Sequence, residues 1–128
     1  MRTCASVHAP AMDPIYCLQS DVLKVLANPR RLEMLHLLAD GPREVGRLAA
    51  EMRVSQPNVS QHLAVMRAAG LVEADRDGRE VRYRLADPDV MVACGIMRDV
   101  LVRRLDRLTE LTSPRPNERP VVAAGGDA

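Results

Sequence analysis

The stretch Val54–Gly70, VSQPNVSQHLAVMRAAG, constrains the fold most, because it specifies one helix with two opposed faces. Ser55 supplies an N-cap hydroxyl, and Pro57 is tolerated in the first turn, where the early N–H groups have no intrahelical partner. Val59, Leu63 and Met66 recur at i, i+4 and i+7, an apolar stripe along one side. Gly70 stands where a left-handed residue closes the last turn. Gln56, Asn58, Ser60, Gln61 and His62 are left off the stripe, a neutral patch of amides and hydroxyls at the N-terminal half. Groups of this kind match base edges in a DNA major groove, where a recognition helix presents its N-terminal residues. On this stretch alone, a plain solvated helix face is the alternative.

The preceding residues predict three more helices. The first runs from about Pro14 to Ala27, with Ile15, Leu18, Val22 and Leu26 on one face and Tyr16 and Leu23 widening it. Asn28–Pro29 restarts the helix, and Leu32, Leu35 and Leu38 continue the stripe until Gly41–Pro42. Val45, Leu48, Ala49 and Met52 then mark a short third helix. The connector Arg53–Val54–Ser55 leads straight into the opening stretch, giving a helix-turn-helix whose turn lacks the frequent glycine.

Beyond Gly70 the apolar period changes from 3.6 to 2. LVEAD and EVRYRL read as strands joined by Arg76–Asp77–Gly78–Arg79, with Asp–Gly as the hairpin signal. Val81, Tyr83 and Leu85 alternate inward, which places Arg82 and Arg84 outward beside Arg76 and Arg79. Those arginines form a local basic patch that the net charge of +1 conceals. A hairpin directly after a helix-turn-helix is a wing, and Arg76, Arg79 and Arg82 are its expected phosphate contacts. The fold class is therefore mainly α with a small β-hairpin, a winged helix-turn-helix.

Asp87–Pro88–Asp89 opens a last helix, along which Cys94, Met97, Leu101, Leu105 and Leu108 form a long apolar seam. So long a seam predicts pairing with a second copy, a homodimer through the first and last helices with Ile15, Leu18, Met97, Leu101 and Leu105 at the interface. Residues 1–13 read as a flexible arm, 14–112 as the DNA-binding and dimerisation domain, and 113–128 as a disordered tail. The absence of Phe and Trp leaves Leu, Val, Met and Ala to build the core. No apolar run approaches the ~20 residues that span a bilayer, and Met1–Met12 lacks a signal peptide's apolar centre, so a cytoplasmic chain with no membrane partner is expected. Without a Gly-rich phosphate loop, an H-E-x-x-H or a nucleophile–base pair, an enzyme is not expected.

Together, LANPRRLEMLHLL, VSQPNVSQHLAVMRAAGLV and DGREVRYRL resemble the ArsR/SmtB family of bacterial winged-helix repressors, over about residues 15 to 110. The resemblance implies a dimer that binds an inverted-repeat operator on double-stranded DNA, with half-sites roughly 34–36 Å apart or a multiple of it. It also implies that Gln56, Asn58, Ser60, Gln61 and His62 face that DNA. Release would follow when a metal, metalloid or thiol-reactive signal occupies a sensory site. Here the chain departs from the best-known patterns. Glu44 and Gly46 stand where many members carry a Cys-x-Cys pair, and Val100 and Arg103 stand where others complete a carboxylate–His site begun by Asp87 and Asp89.

Three cysteines remain as candidates, Cys4 on the arm, Cys17 in the first helix and Cys94 in the last. Three thiolates suit a soft ion such as arsenite, antimonite or a cadmium-like metal. A Cys17–Cys94 pair alone suits a switch by disulfide or persulfide formation. Small buried apolar side chains are the third reading of the same thiols. A dimeric interaction module that keeps the fold without binding DNA is the alternative outside this class.

Overall fold

Most helix starts among the described residues coincide with side chains that accept hydrogen bonds from otherwise unpartnered N–H groups, whereas the helix that follows Glu44 starts without one. The computed structural model describes residues 12–112; the remainder of the expected arm and the tail from Ser113 lie outside the described residues. The elements are α1 (Pro14–Leu26), α2 (Pro29–Ala39), α3 (Val45–Met52), α4 (Gln56–Ala68), β1 (Val72–Asp77), β2 (Glu80–Leu85) and α5 (Asp89–Thr112). Asp13 caps α1 through Ile15 N at 3.0 Å, and Asn28 caps α2 through Arg30 N and Arg31 N. Ser55 accepts from Asn58 N at 3.3 Å, as the opening stretch predicts. The chain divides into two units with the boundary after Val92, so α1 to α4 and the hairpin belong to one and α5 from Ala93 to the other.

The turn between α3 and α4 is made without glycine. Arg53 adopts φ +56°, a left-handed conformation that costs an L-residue roughly 1–2 kcal/mol. Its N–H reaches Ala50 O and that of Val54 reaches Ala49 O, closing α3. Gly70, at φ +77°, performs the same service after α4, where its lack of Cβ removes the cost.

The core is assembled from α2, α3 and α4. Met34, Leu35 and Leu38 meet Leu48, Ala49 and Met52, and Val59, Leu63 and Met66 close over them together with Leu71 and Val72. Burial of each large side chain contributes roughly 1.5–3 kcal/mol. One expectation is corrected: Leu32 is exposed, and Met34 takes the inward position instead, because α2 turns its 34–35–38 edge to the core. No residue of α1 is buried; Val22, Val25 and Leu26 rest against the core, whereas Ile15, Tyr16, Leu18 and Leu23 are exposed.

The hairpin differs in register from what its sequence predicts. Asp77 pairs with Glu80, so the loop is Gly78–Arg79 rather than a turn centred on Asp–Gly. Gly78 alone carries a positive φ, +61°, as the first position of a two-residue loop that favours glycine there. Val72, Ala74 and Arg76 stand across from Leu85, Tyr83 and Val81 on one face. Glu73, Asp75 and Asp77 stand across from Arg84, Arg82 and Glu80 on the other. Arg76 and Arg82 are therefore on opposite faces, not side by side.

A third strand position, which the sequence pattern does not signal, ties the hairpin to the helices. Arg43 and Tyr83 exchange backbone hydrogen bonds of 3.0 and 2.8 Å. The Arg43 side chain is buried, donating to Glu51 at 2.9 Å and to the carbonyls of Leu37 and Gly41. Those partners satisfy a guanidinium that would otherwise be costly to desolvate.

Candidate nucleic-acid interface and cysteines

The apolar stripe of α4 faces the core, so its polar residues are turned outward by packing rather than by chance. Gln56, Asn58, Ser60 and Gln61 are exposed, and their side chains make no hydrogen bond with another described residue. Gln56 lies over the start of α3, its Nε2 only 3.4 Å from where a Cβ on Gly46 would sit. Ser60 faces a groove of about 370 Å³ that it lines with Ala64, Arg67 and Ala68 of α4 and Tyr83 of β2. Two of these groups, Arg67 and Tyr83, are not among the DNA contacts expected from the sequence. Arg67 sits at i+7 from Ser60, a spacing that places both on one side of the helix.

His62 departs from the picture of a free outward group. It is half-buried on the other flank of α4, and its Nδ1 accepts a hydrogen bond from Arg31 Nε at 3.3 Å. Burial first, and then the charges of Arg31 and Arg30, hold the imidazole pKa below its ordinary value.

On the wing, the cross-strand register decides which arginines keep free charge. Arg84 is held between Glu73 and Asp75, bonding Asp75 at 2.7 Å. The Asp75 hydrogen bond, with the charges of Asp75 and Glu73, raises its pKa further above an already high value. Arg82 lies 3.5 Å from Glu80 and across from Asp75. Arg76 and Arg79 form no ion pair with another described residue and flank the tip. Residues 71–85 carry four arginines and four carboxylates, so the expected basic patch is reduced to those two exposed groups.

Below the wing, Pro42, Arg43, Glu44, Arg47 and Arg82 line a second groove of about 230 Å³. Arg47 is engaged by Glu51 at 3.3 Å, which also serves Arg43.

Cys17 and Cys94 are both half-buried, the first on α1 and the second on α5, while Cys4 lies outside the described residues. Among the described residues, no group of three or more His, Cys, Asp or Glu is placed to hold a metal ion. The site expected from three cysteines includes Cys4 and therefore lies partly outside the described residues. On α5, the seam residues Met97, Leu101, Leu105 and Leu108 are exposed, as are Ile96 and Val100 outside the predicted seam. Among the described residues, no helix is long and apolar enough to cross a membrane.

The profile of the arsR family of bacterial regulatory proteins matches residues 28–74, which run from the cap of α2 into β1. The chain is 38% identical over 118 residues to the uncharacterised HTH-type transcriptional regulator Rv0081 of Mycobacterium tuberculosis, covering 91% of this chain and 96% of that one. The crystal structure of Rv0081 superposes with a TM-score of 0.67, at 39% identity over 76% of this chain and 99% of the other. The HTH-type transcriptional repressor SmtB of M. tuberculosis is 42% identical over 84 residues, 66% of this chain and 62% of SmtB. The homodimeric winged helix-turn-helix DNA-binding domain of Mb0332 from Mycobacterium bovis gives a TM-score of 0.66, at 35% identity, over 71% of this chain and 84% of that domain.

Proposed function

Because the chain belongs to the ArsR family of bacterial transcriptional regulators, with its DNA-binding winged helix-turn-helix, we propose that it is a homodimeric repressor whose operator contacts come from α4 and the tip of the wing. The observation that carries this reading is the outward patch of Gln56, Asn58, Ser60 and Gln61, exposed and uncommitted on a helix whose other face is fully packed. Neutral amides and hydroxyls both donate and accept, which is what base edges require. Arg79 and Arg76 at the tip would supply phosphate contacts and salt-dependent affinity. Arg82 contributes less, since Glu80 and Asp75 already offset its charge.

The dimer would bury the exposed apolar residues of α1, Ile15 and Leu18 among them, and of α5, with Met97, Leu101 and Leu105 central. Mb0332, a similar protein, is homodimeric. A two-fold dimer matches an inverted-repeat operator. In this reading residues 14–112 act as one DNA-binding and dimerisation domain.

Release from DNA would be triggered at the thiols of Cys17 and Cys94, each half-buried on a helix assigned to the dimer. A persulfide donor would transfer its outer sulfur to a cysteine thiolate, leaving a cysteine persulfide and the donor's thiolate. The test is binding of the full-length protein to its own upstream DNA, read by gel shift before and after such a donor. Retention of binding in Cys17→Ser and Cys94→Ser where the unmodified protein lets go supports the thiol switch. Release of both variants by the donor rejects it. Mass spectrometry with arsenite and cadmium separates ion binding, and failure of the unmodified protein to bind the DNA rejects the repressor.

A further inference from the structure

Arg31 connects three helices. From the first turn of α2 its Nη1 donates to Val25 O at 3.1 Å, and its Nε donates to His62 Nδ1 at 3.3 Å. Val25 lies in the last turn of α1, where carbonyls lack an intrahelical partner, so the first bond fills a vacant acceptor. The second reaches the exposed half of α4 on the flank away from Tyr83, between Asn58 and the C-terminal turns.

The chemistry of this contact fixes the state of the imidazole. A guanidinium only donates, so Nδ1 must be the unprotonated nitrogen and the ring's single proton must sit on Nε2. A protonated ring could not accept from Arg31 at all. The charges that act on His62 among the described residues are those of Arg31 and Arg30, both cations on α2, and with partial burial they keep it neutral. Asn58, Ser60 and Gln61 beside it on α4 carry no charge.

We propose that Arg31 is a positioning residue for DNA recognition, holding His62 as the neutral Nε2–H donor and setting the rotation of α4 against α1 and α2. This rests on the assignment of α4 to operator contact. Arg31 need not touch DNA; it acts through His62, and its anchor on Val25 O makes the last turn of α1 part of the support. The groove side of α4 is braced by the wing, and Arg31 braces the opposite side.

The experiment is a double-mutant cycle in the full-length protein, with affinity for its own upstream DNA measured by fluorescence anisotropy at fixed salt. Loss of one charge-assisted hydrogen bond predicts about tenfold weaker binding for Arg31→Ala and for His62→Ala. The double variant is expected to be no weaker than the more damaged single one, since one contact is lost in each case. Nitrogen NMR of the unmodified protein is expected to show His62 protonated on Nε2, and Arg31→Ala is expected to raise its pKa towards the ordinary value. Losses that multiply to about a hundredfold, unchanged binding by a folded Arg31→Ala, or a proton on Nδ1 would each overturn the proposal. The NMR measurement needs no variant to fold. If the unmodified protein does not bind the DNA, the operator reading of α4 fails and the proposal with it. If it binds and Arg31→Ala binds equally, only the proposal fails.

Discussion

The helix α4 and the wing both carry polar groups to the surface, yet they dispose of them in opposite ways. Along α4, neighbouring outward residues diverge around the axis, and Gln56, Asn58, Ser60 and Gln61 are neutral, so none satisfies another. On the hairpin, residues across the ladder sit within ~5.5 Å of one another. Register therefore sets Glu73 and Asp75 against Arg84 and Arg82, and their charges cancel. A helix keeps its outward polar groups available, whereas a strand pair consumes charged groups that face an opposite charge across the ladder. Arg79, in the two-residue loop, and Arg76, across from the uncharged Val81, are the groups that escape.

The largest expected effect tests whether the buried side of α4 is what orients its outer side. Leu63→Ala removes a side chain that is 1% exposed at the centre of the core and should cost about 2–5 kcal/mol of stability. Chemical denaturation measures this, and a loss below about 1 kcal/mol would mean that α4 is held in some other way. Next come the outward groups. Gln56→Ala and Ser60→Ala should each cost roughly 1–3 kcal/mol of operator binding and relax base preference, with melting temperature unchanged. Equal losses on operator and random DNA would move these residues from reading bases to holding the backbone.

The wing is expected to give smaller and more selective effects. Arg79→Ala should weaken binding to all sequences and reduce the salt slope by about 1, whereas Arg84→Ala should leave that slope as it was. Matching slopes in the two variants would erase the distinction between tip and ladder. Smallest is a pH effect on folding. Since His62 titrates below its unfolded value of about 6.5, the unfolded chain binds more protons between the two values. Stability should therefore fall as pH drops through that window and level off above it. The fall should be absent in His62→Gln, as thermal melts across pH 5–8 would report.

Helix and hairpin differ as well in how far their amino acids announce them. The three core helices are legible because Leu35, Leu38, Leu48, Met52, Val59, Leu63 and Met66 repeat at helical spacing, a local signal. Leu32 and Met34 exchange places because the edge that a short helix buries depends on its neighbours. The hairpin is legible, but its register is not: Asp–Gly and Gly–Arg both suit a two-residue loop, and a shift of the pairing moves arginines from one face to the other. Arg43 and Arg31 give no signal for a different reason. Their partners, Tyr83 in one case and His62 in the other, lie 40 and 31 residues away, and nothing in an isolated arginine announces a distant acceptor.

The backbone bridge between Arg43 and Tyr83 has a bearing on operator choice. It clamps the middle of β2 to the turn ahead of α3, leaving the loop at Gly78–Arg79 as the part of the wing farthest from the clamp. In the proposed complex the clamp would limit how far the body of the wing can swing away from the helices, and so how wide a duplex α4 and the tip could meet together. A duplex too wide for that limit would itself be deformed, at an energy that depends on base sequence. Discrimination would thus extend to base pairs that no side chain reaches, because the clamp is made of main chain.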